Sequence, residues 1–217
     1  MISAVLFDLD GTLADTAPDL GYALNLLRSR HGKDVLPLPR IRPHVSHGAR
    51  GMLEVGFGIL PDDPKFGMLK DEFLELYAQN VCRETRLFPG MLKLLDALEA
   101  KRVLWGVVTN KPSRFTEPLV DSLQLRERAA CVVSGDSRPR AKPHPDTLLA
   151  ACEQLAIACS ECLYIGDDER DVIAARAAGI PAIVAMYGYL GAGTHPDLWG
   201  AHGKIEHPGE LLGFLDR

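Results

Sequence analysis

Short apolar runs that alternate with helical patterns restrict this chain more than any other feature of its sequence. Residues 3–9 (SAVLFDL) form a brief run rich in β-formers that ends in acidic residues and a glycine. The runs at 103–109 (VLWGVVT), 163–166 (LYIG) and 181–185 (PAIVA) resemble it, with a weaker one at 131–134 (CVVS). Strands that are apolar at consecutive positions are buried on both faces, as in parallel sheets. Helical spacing appears between the runs: Leu92, Leu95 and Leu98 before the second, Leu148, Ala151, Cys152 and Leu155 before LYIG, and Val172, Ala175 and Ala178 after it. This alternation predicts an α/β fold, a Rossmann-like parallel sheet covered by helices on both faces.

The segment 17–85 breaks the alternation. Leu20, Ala23, Leu24 and Leu27 follow helical spacing, as do Leu69, Phe73, Leu76 and Tyr77, and no convincing strand lies between them. The expected organisation is a core of residues 1–16 and 86–217, interrupted by an all-helical insertion at 17–85. The insertion returns near the Phe88-Pro89-Gly90 turn. The stretch 186–203 reads as a long loop leading to the closing segment KIEH.

Composition limits the partners. Acidic residues outnumber basic ones, 29 to 24, and the resulting net charge of −5 argues against non-specific binding to nucleic acid or anionic membranes. No apolar run is long enough to span a membrane and no secretory leader is evident, so a cytoplasmic, small-molecule enzyme is expected, as a monomer or homodimer. Cys82, Cys131, Cys152, Cys159 and Cys162 are an odd, scattered set and are expected to be reduced thiols. Cys159 and Cys162 have the spacing of half a zinc site, but no second pair accompanies them.

The first run ends in Asp8-Leu9-Asp10-Gly11-Thr12, which projects two carboxylates beyond the carboxyl edge of a parallel sheet, where open α/β folds bind ligands. Gly11 permits a sharp turn and a close approach of backbone amides to an anion. Taken alone, the pentapeptide is also an ordinary polar turn. Three later features, each at the end of a different predicted element, add the other parts of one site. Thr109 and Asn110 offer a hydroxyl, an amide and backbone donors for phosphate oxygens. Lys142, which precedes Pro143, is expected in an extended loop. Asp167, Asp168 and Asp171 follow Ile165-Gly166 and crowd further negative charge onto the same edge, although Asp168 and Asp171 also suit helix capping. A carboxylate about 4 Å from one charge of a phosphate is repelled by roughly 4 kcal/mol at an effective dielectric of 20, and by twice that for a dianion. Such a site needs compensation. A magnesium ion on Asp8 and Asp167, with Lys142 beside the phosphate, would supply it.

As an ordered set, Asp8-Leu9-Asp10-Gly11-Thr12, Thr109, Lys142 and Gly166-Asp167-Asp168 with Asp171 resemble the haloacid dehalogenase superfamily of phosphatases over essentially the whole chain. The resemblance implies that Asp8 is the nucleophile and passes through an aspartyl-phosphate, that Asp10 is the acid and then the base, and that Thr109 and Lys142 hold the phosphoryl group. It implies magnesium on Asp8, the backbone carbonyl of Asp10, and Asp167, with Asp171 in support. The helical insertion resembles the type 1 cap of these enzymes. The cap segment Ser46-His47-Gly48-Ala49-Arg50 and the Lys142-Pro143-His144-Pro145 loop are similar to those of phosphoglycolate phosphatases. The stretches from Leu104 to Pro112, from Tyr187 to Tyr189, and from Trp199 to Ala201 resemble N-acetylmuramic acid 6-phosphate phosphatases. Arg50 is the candidate cap contact for an anionic substrate. A sugar phosphomutase shares these motifs, and a receiver-type signalling domain uses a similar residue set. The receiver, however, resembles half of the chain, places its acid pair before the phosphorylated Asp, and carries no helical cap.

Overall fold

The computed structural model describes residues 2–191 and 193–215. In chain order its elements are β1 (Ala4–Phe7), β2 (Ala14–Asp15), α1 (Ala17–Arg30), α2 (Leu38–Ile41), α3 (Gly48–Phe57), α4 (Phe66–Ala78), β3 (Arg86–Leu87), α5 (Met91–Ala100), β4 (Leu104–Val108), α6 (Ser113–Ser122), β5 (Cys131–Val133), α7 (Asp146–Leu155), β6 (Cys162–Gly166), α8 (Glu169–Ala178), β7 (Ala182–Ala185) and β8 (Gly203–Ile205). Six strands form one parallel sheet in the order β5-β4-β1-β6-β7-β8. The chain builds outward from β1 to β4 and β5, then crosses back to β6 on the other side of β1. The strand order therefore reverses beside β1, and this switch opens a crevice at the carboxyl ends of β1, β4 and β6.

Alternate residues of the sheet feed two separate cores, as the two-residue period of a strand requires. Val5, Phe7, Trp105, Val107, Leu163 and Ile165 pack with Leu94, Leu95 and Leu98 of α5 and Leu119 of α6. Ala4, Leu6, Val108, Tyr164 and Val184 face the opposite way, onto Leu148 and Ala151 of α7 and Val172 and Ala175 of α8. Every residue of β1 is fully buried, which explains its unbroken apolar sequence. Both faces are covered by helices, as expected. In α5 the buried stripe is Met91, Leu94, Leu95 and Leu98, whereas Leu92 is 51% exposed, so its place in the predicted pattern was one residue out. The five cysteines are free thiols, in line with the sequence reading. No helix among the described residues is long and apolar enough to cross a membrane.

Between β2 and β3 the chain forms only helical elements, and α1, α3 and α4 pack on one another through Leu24, Leu27, Met52, Leu53, Leu69 and Phe73. The two strands pair antiparallel, Ala14 opposite Leu87 and Asp15 opposite Arg86, so the chain leaves the core and returns to it side by side. Two buried groups stitch the crossing. Asp19 on α1 accepts hydrogen bonds from the backbone amides of Glu84 and Thr85 and from the Thr85 hydroxyl at 2.7–3.1 Å. The Tyr189 hydroxyl, from the loop after β7, accepts from the amides of Thr16 (2.7 Å) and Ala17 (2.9 Å) and donates to Asp15 Oδ1 (2.9 Å). It supplies the cap that the side chain of Thr16, at the start of α1, does not provide.

Candidate active site

Strand register assembles the site. Phe7 of β1 stands opposite Val107 of β4 and Ile165 of β6, so the residues just beyond, Asp8, Thr109 and Asp167, emerge together at the crevice. Gly11 has φ +85, and a Cβ there would collide with the Asp167 carboxylate and the Tyr189 ring. Glycine is therefore required both for the turn and for the approach of Asp167. A side chain at Gly166 would likewise strike the Asp171 carboxylate.

Asp8, Asp167 and Asp171 bring one carboxylate oxygen each to within 4.8 Å of one another. Lys142 faces them with its side chain only 2% exposed, its Nζ 2.9 Å from Asp8 Oδ1 and 2.6 Å from Asp171 Oδ1. An ammonium has only three N–H donors, and here they are aligned on Asp171 Oδ1, the Tyr164 hydroxyl and the Val108 carbonyl. Asp8 Oδ1 is thus ion-paired with Lys142 but receives no aligned hydrogen bond. Burial disfavours the charge of Lys142, yet Asp171 and Asp8 outweigh it and hold its pKa above the ordinary value. Burial drives Asp8 up to about 7 against the pull of Lys142, helped by repulsion from Asp171 and Asp10. Asp167, fully buried, is pushed well above the carboxylate range by burial and by Asp8 and Asp171.

These residues fit a hard cation. The donors are all oxygens, one of them accepting no aligned hydrogen bond, and the three carboxylates face a single ammonium, an imbalance that a divalent ion offsets. Asp167 is oriented by the Thr12 hydroxyl (3.1 Å) and the Tyr189 amide (2.8 Å). Both oxygens of Asp171 are engaged, Oδ1 by Lys142 and Tyr164 and Oδ2 by the Asp168 amide, which suits a supporting role. Asp168 turns away from the cluster. Its carboxylate caps α8 at the Arg170 amide and pairs with the Arg170 guanidinium at 2.8 and 3.0 Å, and this pairing outweighs burial to lower its pKa.

Asp10 does not join the acidic cluster with its carboxylate. Its Oδ1 accepts from the Thr16 hydroxyl (2.6 Å) and from Lys111 Nζ (2.7 Å). Thr109 is buried at the cavity wall, where its Oγ1 accepts from the Lys111 amide. Asn110, expected to contact phosphate, lines the cavity and joins its side-chain amide to the main chain of Lys142: Nδ2 donates to the Lys142 carbonyl (2.8 Å) and Oδ1 accepts from the Lys142 amide (2.9 Å). Lys142 accordingly sits in a pinned turn rather than the expected extended loop.

A cavity of about 270 Å³ joins these groups, reaching from Asp8, Asp10, Thr109 and Lys142 to the helical segment. Its lining is also largely apolar, with Leu20, Val45, Phe73, Leu74, Tyr77 and Phe115. Arg50 is exposed on α3 and is not part of this lining; of the segment 46–50, Ser46, His47, Gly48 and Ala49 are. The arginine that does reach the cavity is Arg170, whose Nη2 donates to the Ser46 carbonyl at 2.6 Å. Arg170, Lys111, Tyr164 and Tyr189 were not singled out as site residues. Each acts through a partner distant in sequence, which no local pattern could disclose.

The description of the haloacid dehalogenase-like hydrolase family matches residues 5–185. The chain belongs to that family. It is 43% identical over 216 residues to an N-acetylmuramic acid 6-phosphate phosphatase of Pseudomonas aeruginosa, covering 100% of this chain and 96% of that one. It is 41% identical over 208 residues to a phosphoglycolate phosphatase of Xanthomonas campestris, covering 96% and 94%. The fold matches the crystal structure of a predicted phosphoglycolate phosphatase from Haemophilus somnus with a TM-score of 0.86 at 24% identity, covering 98% of this chain and 97% of that one. Asp8, Asp10, Thr109, Lys142, Asp168 and Asp171 of this chain line one cavity, with Asp167 beside Asp8.

Proposed function

We propose that this chain, a phosphatase by family and by its relatives, is a magnesium-dependent hydrolase of a small phosphate monoester that works through an aspartyl-phosphate on Asp8. The observation that carries the reading is the convergence of Asp8, Asp10, Thr109 and Lys142 on one cavity, with Asp167 beside Asp8. In the first step an Asp8 oxygen attacks phosphorus and the bond to the ester oxygen breaks. Asp10 gives its proton to that leaving oxygen. In the second step Asp10 takes a proton from water, the water oxygen attacks phosphorus, and the bond to Asp8 breaks to release inorganic phosphate. Asp10 Oδ1 is fixed by Thr16 and Lys111, which leaves Oδ2 as its working oxygen. The Thr109 hydroxyl holds a phosphoryl oxygen, and Lys142 sets a fixed positive charge beside Asp8 and the phosphoryl group. Asp8, Asp167 and the Asp10 carbonyl, with Asp171 in support, would hold magnesium, which when bound would neutralise charge between nucleophile and phosphate.

The segment 17–85 serves as a cap on the core of 1–16 and 86–217, closing over the phosphoryl end and setting the organic end of the substrate. Its apolar wall suits a monoester with carbon surface, and the relatives' names support 2-phosphoglycolate or N-acetylmuramic acid 6-phosphate as the proposed substrate. The test is phosphate release from both compounds and from several sugar phosphates, ranked by kcat/KM, with and without chelator. Phosphosugar isomers in place of free phosphate would indicate a mutase. Undiminished release in chelator would remove magnesium from the mechanism.

A further inference from the structure

Tyr77 lies near the end of α4, 1% exposed, with its ring 5.3 Å from that of Phe115 on α6. Its hydroxyl is buried and donates to no acceptor, and the Lys111 ammonium is its polar neighbour. A buried hydroxyl is normally paired, because nothing else replaces its lost hydration. Tyr77 also lines the cavity that contains Asp8 and Asp10.

Lys111 lies beside it. Its Nζ is 4.8 Å from the Tyr77 ring centroid and 2.7 Å from Asp10 Oδ1, and its side chain is only 6% exposed. Among the described residues that ammonium makes one aligned hydrogen bond, to Asp10, of the three it can donate. Asp10, Lys111 and Tyr77 thus form a row from the acid–base group to the wall of the helical segment. An acid that protonates the ester oxygen must face the leaving group, so this row borders the organic half of the substrate. Thr109 and Lys142 border the phosphoryl half.

We infer that the Tyr77 hydroxyl and the Lys111 ammonium form a two-donor subsite for a carboxylate on the organic half of the substrate. The inference rests on the phosphatase reading above and deepens it by assigning the groups that recognise the carboxylate common to both proposed substrates. A carboxylate is acceptor-only and anionic, which matches a phenolic O–H and an ammonium N–H better than a neutral hydroxyl does. The otherwise apolar wall strengthens both contacts by excluding water.

The test compares each acid with a partner lacking only the carboxylate arm: 2-phosphoglycolate against ethyl phosphate, and N-acetylmuramic acid 6-phosphate against N-acetylglucosamine 6-phosphate. Wild-type protein should prefer the acid in at least one pair, and that pair identifies the source of the carboxylate. Tyr77→Phe, which changes volume little, should reduce the acid-to-neutral ratio of kcat/KM on the order of tenfold in that pair, chiefly through KM. Lys111→Met should reduce the ratio further and also lower kcat, since Asp10 loses a positioning contact; Lys111→Arg should restore part of the ratio. Equal losses on acid and neutral esters in Tyr77→Phe, or no wild-type preference in either pair, would overturn the subsite. Failure of the phosphatase reading is separate: the wild-type protein would release no phosphate even from p-nitrophenyl phosphate.

Discussion

Replacing Asp8 with Asn should end turnover and yet stabilise the metal-free protein. Asp8 is 9% exposed, and burial, reinforced by Asp171 and Asp10 and only partly opposed by Lys142, moves its pKa from 3.8 to about 7. Between those values an unfolded Asp8 has given up its proton while the folded one keeps it, so stability falls as pH rises. There is no penalty below about pH 4; it accumulates up to about pH 7 and is complete above that. A displacement of about three units corresponds to about 4 kcal/mol at 1.36 kcal/mol per unit. The attraction of Lys142 is already contained in that shift, so the gain for the neutral side chain is on the order of 4 kcal/mol. For a domain of this size each kcal/mol shifts Tm by about 2–4 °C, so Asp8→Asn should melt on the order of 8–16 °C above wild type at pH 8 in chelator. The gap should narrow as pH falls toward 5. Thermal melts in chelator across pH 5–8, paired with phosphate-release assays, measure both signs. A variant that melts below wild type at pH 8 in chelator would refute the claim that repulsion and burial dominate at Asp8.

Lys142→Met removes the single ammonium facing three buried carboxylates and should cost about 3–5 kcal/mol, seen as a lower denaturation midpoint, along with loss of turnover. Tyr189→Phe leaves the amides of Thr16 and Ala17 without their acceptor and should cost about 1–3 kcal/mol, with faster hydrogen exchange at the start of α1. Gly11→Ala forces a side chain against Asp167 at positive φ; calorimetric titration should show weakened magnesium binding, and unchanged affinity would show that the turn tolerates a Cβ.

The central architecture was legible because buried strands write themselves as apolar runs. Ala4–Phe7 and Leu104–Val108 fall inside predicted runs and Cys162–Gly166 begins one residue before its run, and each delivers its motif residue at its carboxyl end. The weak strand Cys131–Val133 was also found. The pair β2–β3 was not, since strands of two residues carry no period. Helix α6 was missed too: Pro118 interrupts its pattern, and tertiary packing of Phe115, Leu119 and Val120 holds it regardless. At the site, residue types that bear chemistry at strand ends were readable, but partner choice was not. Asn110 was readable as a phosphate ligand because amides suit phosphate; its pairing with the Lys142 main chain depends on a loop 32 positions away. Arg50 looked like the cap arginine because it belongs to a familiar segment, yet which face of α3 meets the cavity follows from packing against α1 and α4.

The pairing of Ala14–Asp15 with Arg86–Leu87 has a practical corollary for protein engineering. Because the outgoing and incoming strands are neighbours, everything between them is attached like a cartridge on a two-pin socket. A two- or three-residue hairpin turn joining Asp15 to Arg86 spans the same gap. Such a miniature would expose the sheet edge to bulky esters, and foreign helical modules could be exchanged at the same junction without re-threading a single strand of the catalytic platform.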